Sequence, residues 1–184
     1  GAIAGLGLPF WLAGAYASHQ RLQAARQLGA AGIQFGTLAA LSSQSGLEPS
    51  LRSRVLPLLA AGELKVTNAL VSPTGFPFKV AQVPGTVSEE AVYQGRKRRC
   101  DIGLLQTPYL KPDGSLGYRC PAEPVEAFVA KGGRAQNTAG RVCLCNALLA
   151  AAAVPQVQPD GYVEPAIVTL GEDLASAKEL LASL

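Results

Sequence analysis

Two short turns carry the residue types in this 184-residue chain that are best suited to chemistry. Gly14 and Ala15 follow an apolar run, Pro9–Ala13, and Gly36 and Thr37 follow a second, Ile33–Phe35. Small residues at such points let backbone amides approach a ligand, and amides at the start of a helix favour anions. Thr37 adds a hydroxyl donor, and Gln34 on the second run is placed to reach the same mouth. The chemistry of this set is the anchoring of a phosphate group on a cofactor or substrate. Glycine at a strand end also serves as a plain tight turn, and that reading stands beside the first.

These turns can act together only if a strand, a helix and a strand position them. Ser18 is a cap for a helix running to about Leu28, with Leu22, Ala25 and Leu28 on one face and Arg21 and Arg26 off it. Gly29 and Gly32 bracket the return. Gly14 and Gly36 are 22 residues apart, the length of one βα repeat, so the two strands should be parallel and the crossover right-handed. Two such turns on neighbouring strands form one phosphate pocket, as do the loops after the last two strands of a (β/α)8 barrel. His19, the only histidine, opens the helix and reads as solvent-facing. No Walker A loop, GxGxxG fingerprint, HExxH motif or Ser/His/Asp set occurs.

Hydrophobic residues make up 48% and charged residues 16%, which excludes a disordered chain. A net charge of +3 is too small to argue for nucleic acid. No apolar run approaches the roughly 18 residues of a membrane span. The opening GAIAGLGLPFWLAGAYA lacks a basic lead and is broken by glycine and proline, so it reads as strand rather than signal peptide, and a cytoplasmic location is expected. There is no methionine, and only two βα units precede residue 60, against the roughly 200–250 residues of a whole barrel. The chain therefore reads as an N-terminally truncated portion of a longer protein, unable to close a barrel alone. Cys100, Cys120, Cys143 and Cys145 read as reduced thiols, and no metal site is assigned. Only Cys143 and Cys145 are close in sequence, and their spacing does not match a zinc ribbon.

Beyond the opening unit, a short helix over Leu38–Ser43 and another over Ser50–Ala61 are expected, the latter kinked or ended at Pro57. The character changes at Gly62, so residues 1–61 read as the last βα units of a barrel and 62–184 as an extension packing on it. In that extension Leu64–Val71 is extended, Ser72–Lys79 is a loop and Ser88–Gln94 a helix. Arg96–Arg99 reads as its solvated, dipole-favoured end, with a basic patch as the other reading. Residues 101–120 read as irregular. Helices over Pro121–Lys131 and Leu144–Ala153, a strand at Ile167–Leu170 and a terminal helix from Asp173 to Leu184 complete the chain. That last helix has Leu174, Ala177, Leu180 and Leu181 on one face.

The phrases LAGAYAS, LGAAGIQFGT, SPTGFPFKV, YRCPAEPVEAFVAKGG and GRVCLCNALLA resemble the C-terminal portion of the nitronate monooxygenase (2-nitropropane dioxygenase-like) family. The resemblance spans nearly the whole chain. It implies an α/β fold, the C-terminal part of an FMN-binding (β/α)8 TIM barrel followed by a mixed, mostly helical extension. It implies FMN as cofactor, its phosphate held at Gly14, Ala15, Gly36 and Thr37, with Gln34 beside the flavin. Ala13 stands where the family usually has glycine. The family's catalytic base, a histidine in a glycine-rich loop, is expected upstream, so no catalytic residue is assigned here. The implied reaction is oxidation of alkyl nitronates by molecular oxygen, with a small-molecule substrate and no nucleic-acid or membrane partner. A flavin-dependent enoyl reductase of the same fold is an alternative. A second is a cysteine-rich, metal-stabilised binding module that turns the RKRR run towards an anionic partner.

Overall fold

The computed structural model describes residues 3–68 and 72–182. Its opening unit is the expected one. Strands β1 (Trp11–Leu12) and β2 (Gly32–Ile33) lie parallel, Trp11 opposite Gly32 and Leu12 opposite Ile33, with helix α1 (His19–Gln27) between them in sequence. Ser18 caps α1, its Oγ accepting the Arg21 N–H at 3.2 Å. The predicted apolar stripe is only partly buried: Ala25 is fully enclosed, while Leu28 is exposed. β2 also begins earlier than expected. Gly32 is a ladder residue opposite Trp11 rather than part of the turn, and a Cβ there would meet the Trp11 ring at 3.0 Å.

Helices α2 (Thr37–Leu41) and α3 (Pro49–Ala61) follow. The Glu48 carboxylate caps α3 by accepting the N–H groups of Ser50 and Leu51, and Pro49 occupies the first turn, where its missing N–H costs nothing. α3 runs through Pro57 and stops at Gly62, which takes the left-handed conformation (φ +76°). Leu51, Val55 and Leu59 recur every four residues and form its buried face. They share a core with Leu41, Leu64, Ala81, Val83, Val168, Leu170 and Ala177, so the chain on both sides of Gly62 contributes to one apolar interior.

The later half is built from small pieces. β3 (Val66–Thr67) pairs antiparallel with β4 (Val80–Ala81). The expected extended run from Leu64 is seen as far as Thr67, and its end, 69–71, lies outside the described residues. Next come α4 (Glu90–Gly95), α5 (Val125–Ala130), α6 (Leu144–Ala151) and α7 (Leu174–Ala182). On α7, Ala177 is buried and Leu174 and Leu181 pack against the core, while the Leu180 side chain and residues 183–184 lie outside the described residues. Segment 101–120 is not irregular. Thr107–Leu110 (β5) and Leu116–Arg119 (β6) form an antiparallel hairpin around Lys111-Pro-Asp-Gly, where Gly114 takes φ +81° and Asp113 accepts the Ser115 N–H. Leu110, Leu116 and Tyr118 are all exposed, so the hairpin lacks the alternating buried face that reveals a strand in sequence. Among the described residues no helix is long and apolar enough to cross a membrane.

The RKRR run is likewise not a solvated helix end. The Arg96 side chain is 1% exposed and pairs with Glu164, 2% exposed, at 3.5 Å. Arg96 Nη2 also donates to the Arg141 carbonyl at 2.6 Å, and the guanidinium lies over the Tyr93 ring. Arg98 donates to the carbonyls of Pro121, Glu123 and Thr138. Lys97 and Arg99 both reach Asp160, at 2.9 and 2.7 Å. Burial pushes the Glu164 carboxyl up, and Arg96 opposes that rise.

Removing one charge of the buried pair is the sharper perturbation. Glu164→Gln should lower unfolding free energy in urea by about 3–5 kcal/mol, because Arg96 is left buried and uncompensated. Arg96→Met combined with Glu164→Leu should recover most of the loss, and a double variant as unstable as the single would refute the account. At the surface, the hydrogen bond from Lys97 holds the Asp160 carboxyl down at about 2. The stability it lends is present above its ordinary 3.8 and lost as pH falls through about 2. A carboxyl NMR titration reads that midpoint directly.

Candidate functional site

Because β1 and β2 are parallel neighbours, the turns that follow them leave the sheet at the same edge. Both open on one cleft of about 700 Å³, within the usual range of small-molecule sites. Gly14 and Ala15 line it from the first turn, and Phe35, Gly36 and Thr37 from the second. Gly14 has φ +80° and Ala15 φ +57°. Left-handed backbone at a non-glycine residue costs about 1–3 kcal/mol, so this turn is held by its surroundings. A Cβ added at Gly14 or Gly36 would meet nothing within 4 Å, so both face open space. Among the described residues the amides of Gly14, Ala15, Gly36, Thr37 and Leu38 donate to no backbone carbonyl.

The rest of the lining comes from the distant chain. The N–H of Gly171 donates to Thr37 Oγ1 at 2.8 Å, which leaves the hydroxyl proton free for a ligand. Lys79 Nζ lies 3.3 Å from Glu172, and Asp173 receives Arg21 at 3.4 Å and the Ser176 hydroxyl at 2.9 Å. Lys79, Glu172 and Asp173 line the cleft.

Four of the five residues assigned from sequence therefore meet at one place: Gly14, Ala15, Gly36 and Thr37. Gln34 does not line the cleft. It is exposed, and its backbone N–H donates to the Leu12 carbonyl at 2.8 Å. His19 is exposed one turn from Gln23, with the two side-chain nitrogens 3.4 Å apart, and it too is outside the lining. Lys79, Glu172 and Asp173 were not anticipated. The only sequence signal for Lys79 is its place at the end of the SPTGFPFK loop, and nothing in the spacing ties it to residues 14 or 36.

The donor set fits a phosphate monoester: a lysine ammonium, a threonine hydroxyl and several uncommitted amides beside two small residues. The carboxylates work against an anion, but each already has a cationic partner. The four cysteines are free thiols, and among the described residues no three histidine, cysteine or acidic groups stand arranged to hold a metal ion. Compared with family models, curated proteins and solved structures, the chain matches none.

Thr37→Val should leave the Gly171 N–H without its acceptor and cost about 1–3 kcal/mol, with faster hydrogen exchange at that amide. Thr37→Ser should retain both, and equal behaviour of the two variants would show that the bond carries no weight.

Proposed function

We propose that this cleft anchors the phosphate of FMN and that the protein is an FMN-dependent oxidoreductase that oxidises alkyl nitronates with molecular oxygen. The observation that carries this reading is the convergence of two small-residue turns, on parallel neighbouring strands, on one cleft that a lysine also lines. The resemblance of the same stretch to the nitronate monooxygenase family supports it. In this reading β1, α1, β2 and α2 are the last two βα units of a TIM barrel, and the free thiols suit the reducing cytoplasm.

The chain's own residues bind and orient. Lys79 exchanges Glu172 for the phosphate, Thr37 donates its free hydroxyl proton, and the amides of Gly14, Ala15 and Gly36 supply further donors. Phe35 and Phe78 give the cleft its apolar wall, against which a planar ring can lie. Bound FMN supplies the electron transfer from substrate to oxygen. A nitronate has already lost its α proton, so no general base is required of this chain when the anion itself is the substrate.

Titration of the full chain with FMN should show saturable quenching of flavin fluorescence, reversed by inorganic phosphate. Lys79→Met should weaken binding about tenfold or more, the value of one hydrogen bond to a charged group, whereas Glu172→Gln should tighten it. Oxygen uptake should follow addition of an alkyl nitronate without a nicotinamide. Flavin that stays fully fluorescent at millimolar protein would sink the phosphate site, and uptake that depends on a reduced nicotinamide would turn the assignment to an enoyl reductase.

A further inference from the structure

A second cavity, of about 430 Å³, lies between α3 and α7 and shares no lining residue with the cleft. Its volume is within the usual range of small-molecule sites. Arg52, Leu56, Leu59 and Ala60 line it from α3, and Lys178 and Leu181 from α7. The α3 residues follow one another at steps of four, three and one, which keeps them in a single stripe along the helix. Lys178 and Leu181, three apart, are neighbours on the surface of α7 in the same way. Leu59 is buried, and Leu56 and Leu181 pack partly buried against the same core, so the floor of the groove is aliphatic.

The charged residues of this lining are both cations, and no carboxylate stands among them. Arg52 is held in position. Its Nε donates at 3.0 Å to the carbonyl of Leu41, the last residue of α2. Among the described residues neither Nη of Arg52 has an acceptor, and neither Arg52 nor Lys178 is in ion-pair range of a carboxylate. Elsewhere the pattern is different: Arg21, Lys79, Arg96, Lys97, Arg99 and Lys131 each meet an acidic side chain. A guanidinium anchored through Nε with its two Nη groups unused is the half of a fork that a carboxylate completes.

We propose that this groove binds a medium-chain aliphatic carboxylate. Arg52 takes the carboxylate, Lys178 adds a second positive charge to the site, and the chain lies on Leu56, Leu59 and Leu181. The helix rise sets the length. Arg52 and Ala60 are separated by roughly 12 Å along α3, which an extended decanoate matches. The site is independent of the flavin reading, because none of its residues serves the cleft.

Titration calorimetry of the full chain with decanoate, kept below its micelle-forming concentration, tests the proposal. Saturable binding of one decanoate per chain is expected. Decanol, with the same chain and no charge, should bind about tenfold more weakly or worse. Arg52→Gln should weaken decanoate by about the same factor and leave decanol unchanged, and Arg52→Lys should fall between the two. If Arg52→Gln fails to fold for want of its bond to Leu41, Lys178→Gln at an exposed position reads the charge preference instead: decanoate weakens and decanol does not. Methyl NMR signals of Leu56, Leu59 and Leu181 should shift on addition of decanoate. No binding at millimolar decanoate would overturn the proposal, as would equal affinity for decanol. Unchanged decanoate affinity in both folded charge variants would do the same. Displacement of decanoate by inorganic phosphate would place it in the cleft and sink the assignment to this groove.

Discussion

The structure depends on how one largely buried segment, 166–171, satisfies its backbone. Ile167, Val168 and Leu170 are all but inaccessible, so their apolar side chains hold the segment inside, away from water. A buried backbone must still place its N–H and C=O groups, and each bond here goes to a different element. The Ala166 carbonyl accepts from Val87, the Ile167 N–H donates to the Ala147 carbonyl in α6, and the Val168 carbonyl accepts from Ala81 in β4. The Gly171 N–H reaches Thr37 at the head of α2. No regular sheet does this work. The strand expected at Ile167–Leu170 is not formed: the segment has no regular secondary structure, and its backbone partners are scattered singly around it. That arrangement joins the opening βα unit to everything after Gly62, and it places Gly171, Glu172 and Asp173 on the wall of the cleft.

What could be read from sequence divides along the same line. The strand–helix–strand unit was legible because its causes are local: a serine cap, glycines at the turns, a repeat of the right length. The meeting of Gly14, Ala15, Gly36 and Thr37 follows from that unit alone. Gln34 follows the last residue of β2, and although its N–H still donates to the Leu12 carbonyl, it is exposed and outside the cleft lining. The rest of the lining was illegible because Lys79 and Glu172 arrive through contacts between remote segments. The hairpin at 107–119 was hidden by its exposed apolar residues, which leave no alternation to detect.

The arginine run shows a different kind of failure. Four consecutive basic residues after a helix satisfy every local rule for a solvated end, and the rule is overridden by what loops require. Turns rich in proline and glycine cannot pair their carbonyls in ladders. Arg98 answers three of them, at Pro121, Glu123 and Thr138, and Arg96 answers Arg141. A guanidinium suits this better than an ammonium, because its planar fork presents several donors in fixed directions. The cost is a buried positive charge, and Glu164 offsets it from the C-terminal side of the chain. Composition alone would have pointed the same charges at an external anion.

Charge in the cleft can be weighed in the same way. Lys79 and Glu172 are each about half exposed, at 48% and 58%, and such a pair is worth only about 0–1 kcal/mol. Exchanging Glu172 for a phosphate therefore sacrifices little, while the phosphate would gain the Thr37 hydroxyl and amides that have no backbone acceptor. Asp173 differs, because it is three-quarters covered and held by both Arg21 and Ser176. Its partners therefore hold it more firmly than Lys79 holds Glu172. In the proposed reading, a ligand with one charged end would turn its phosphate towards Lys79 and Thr37.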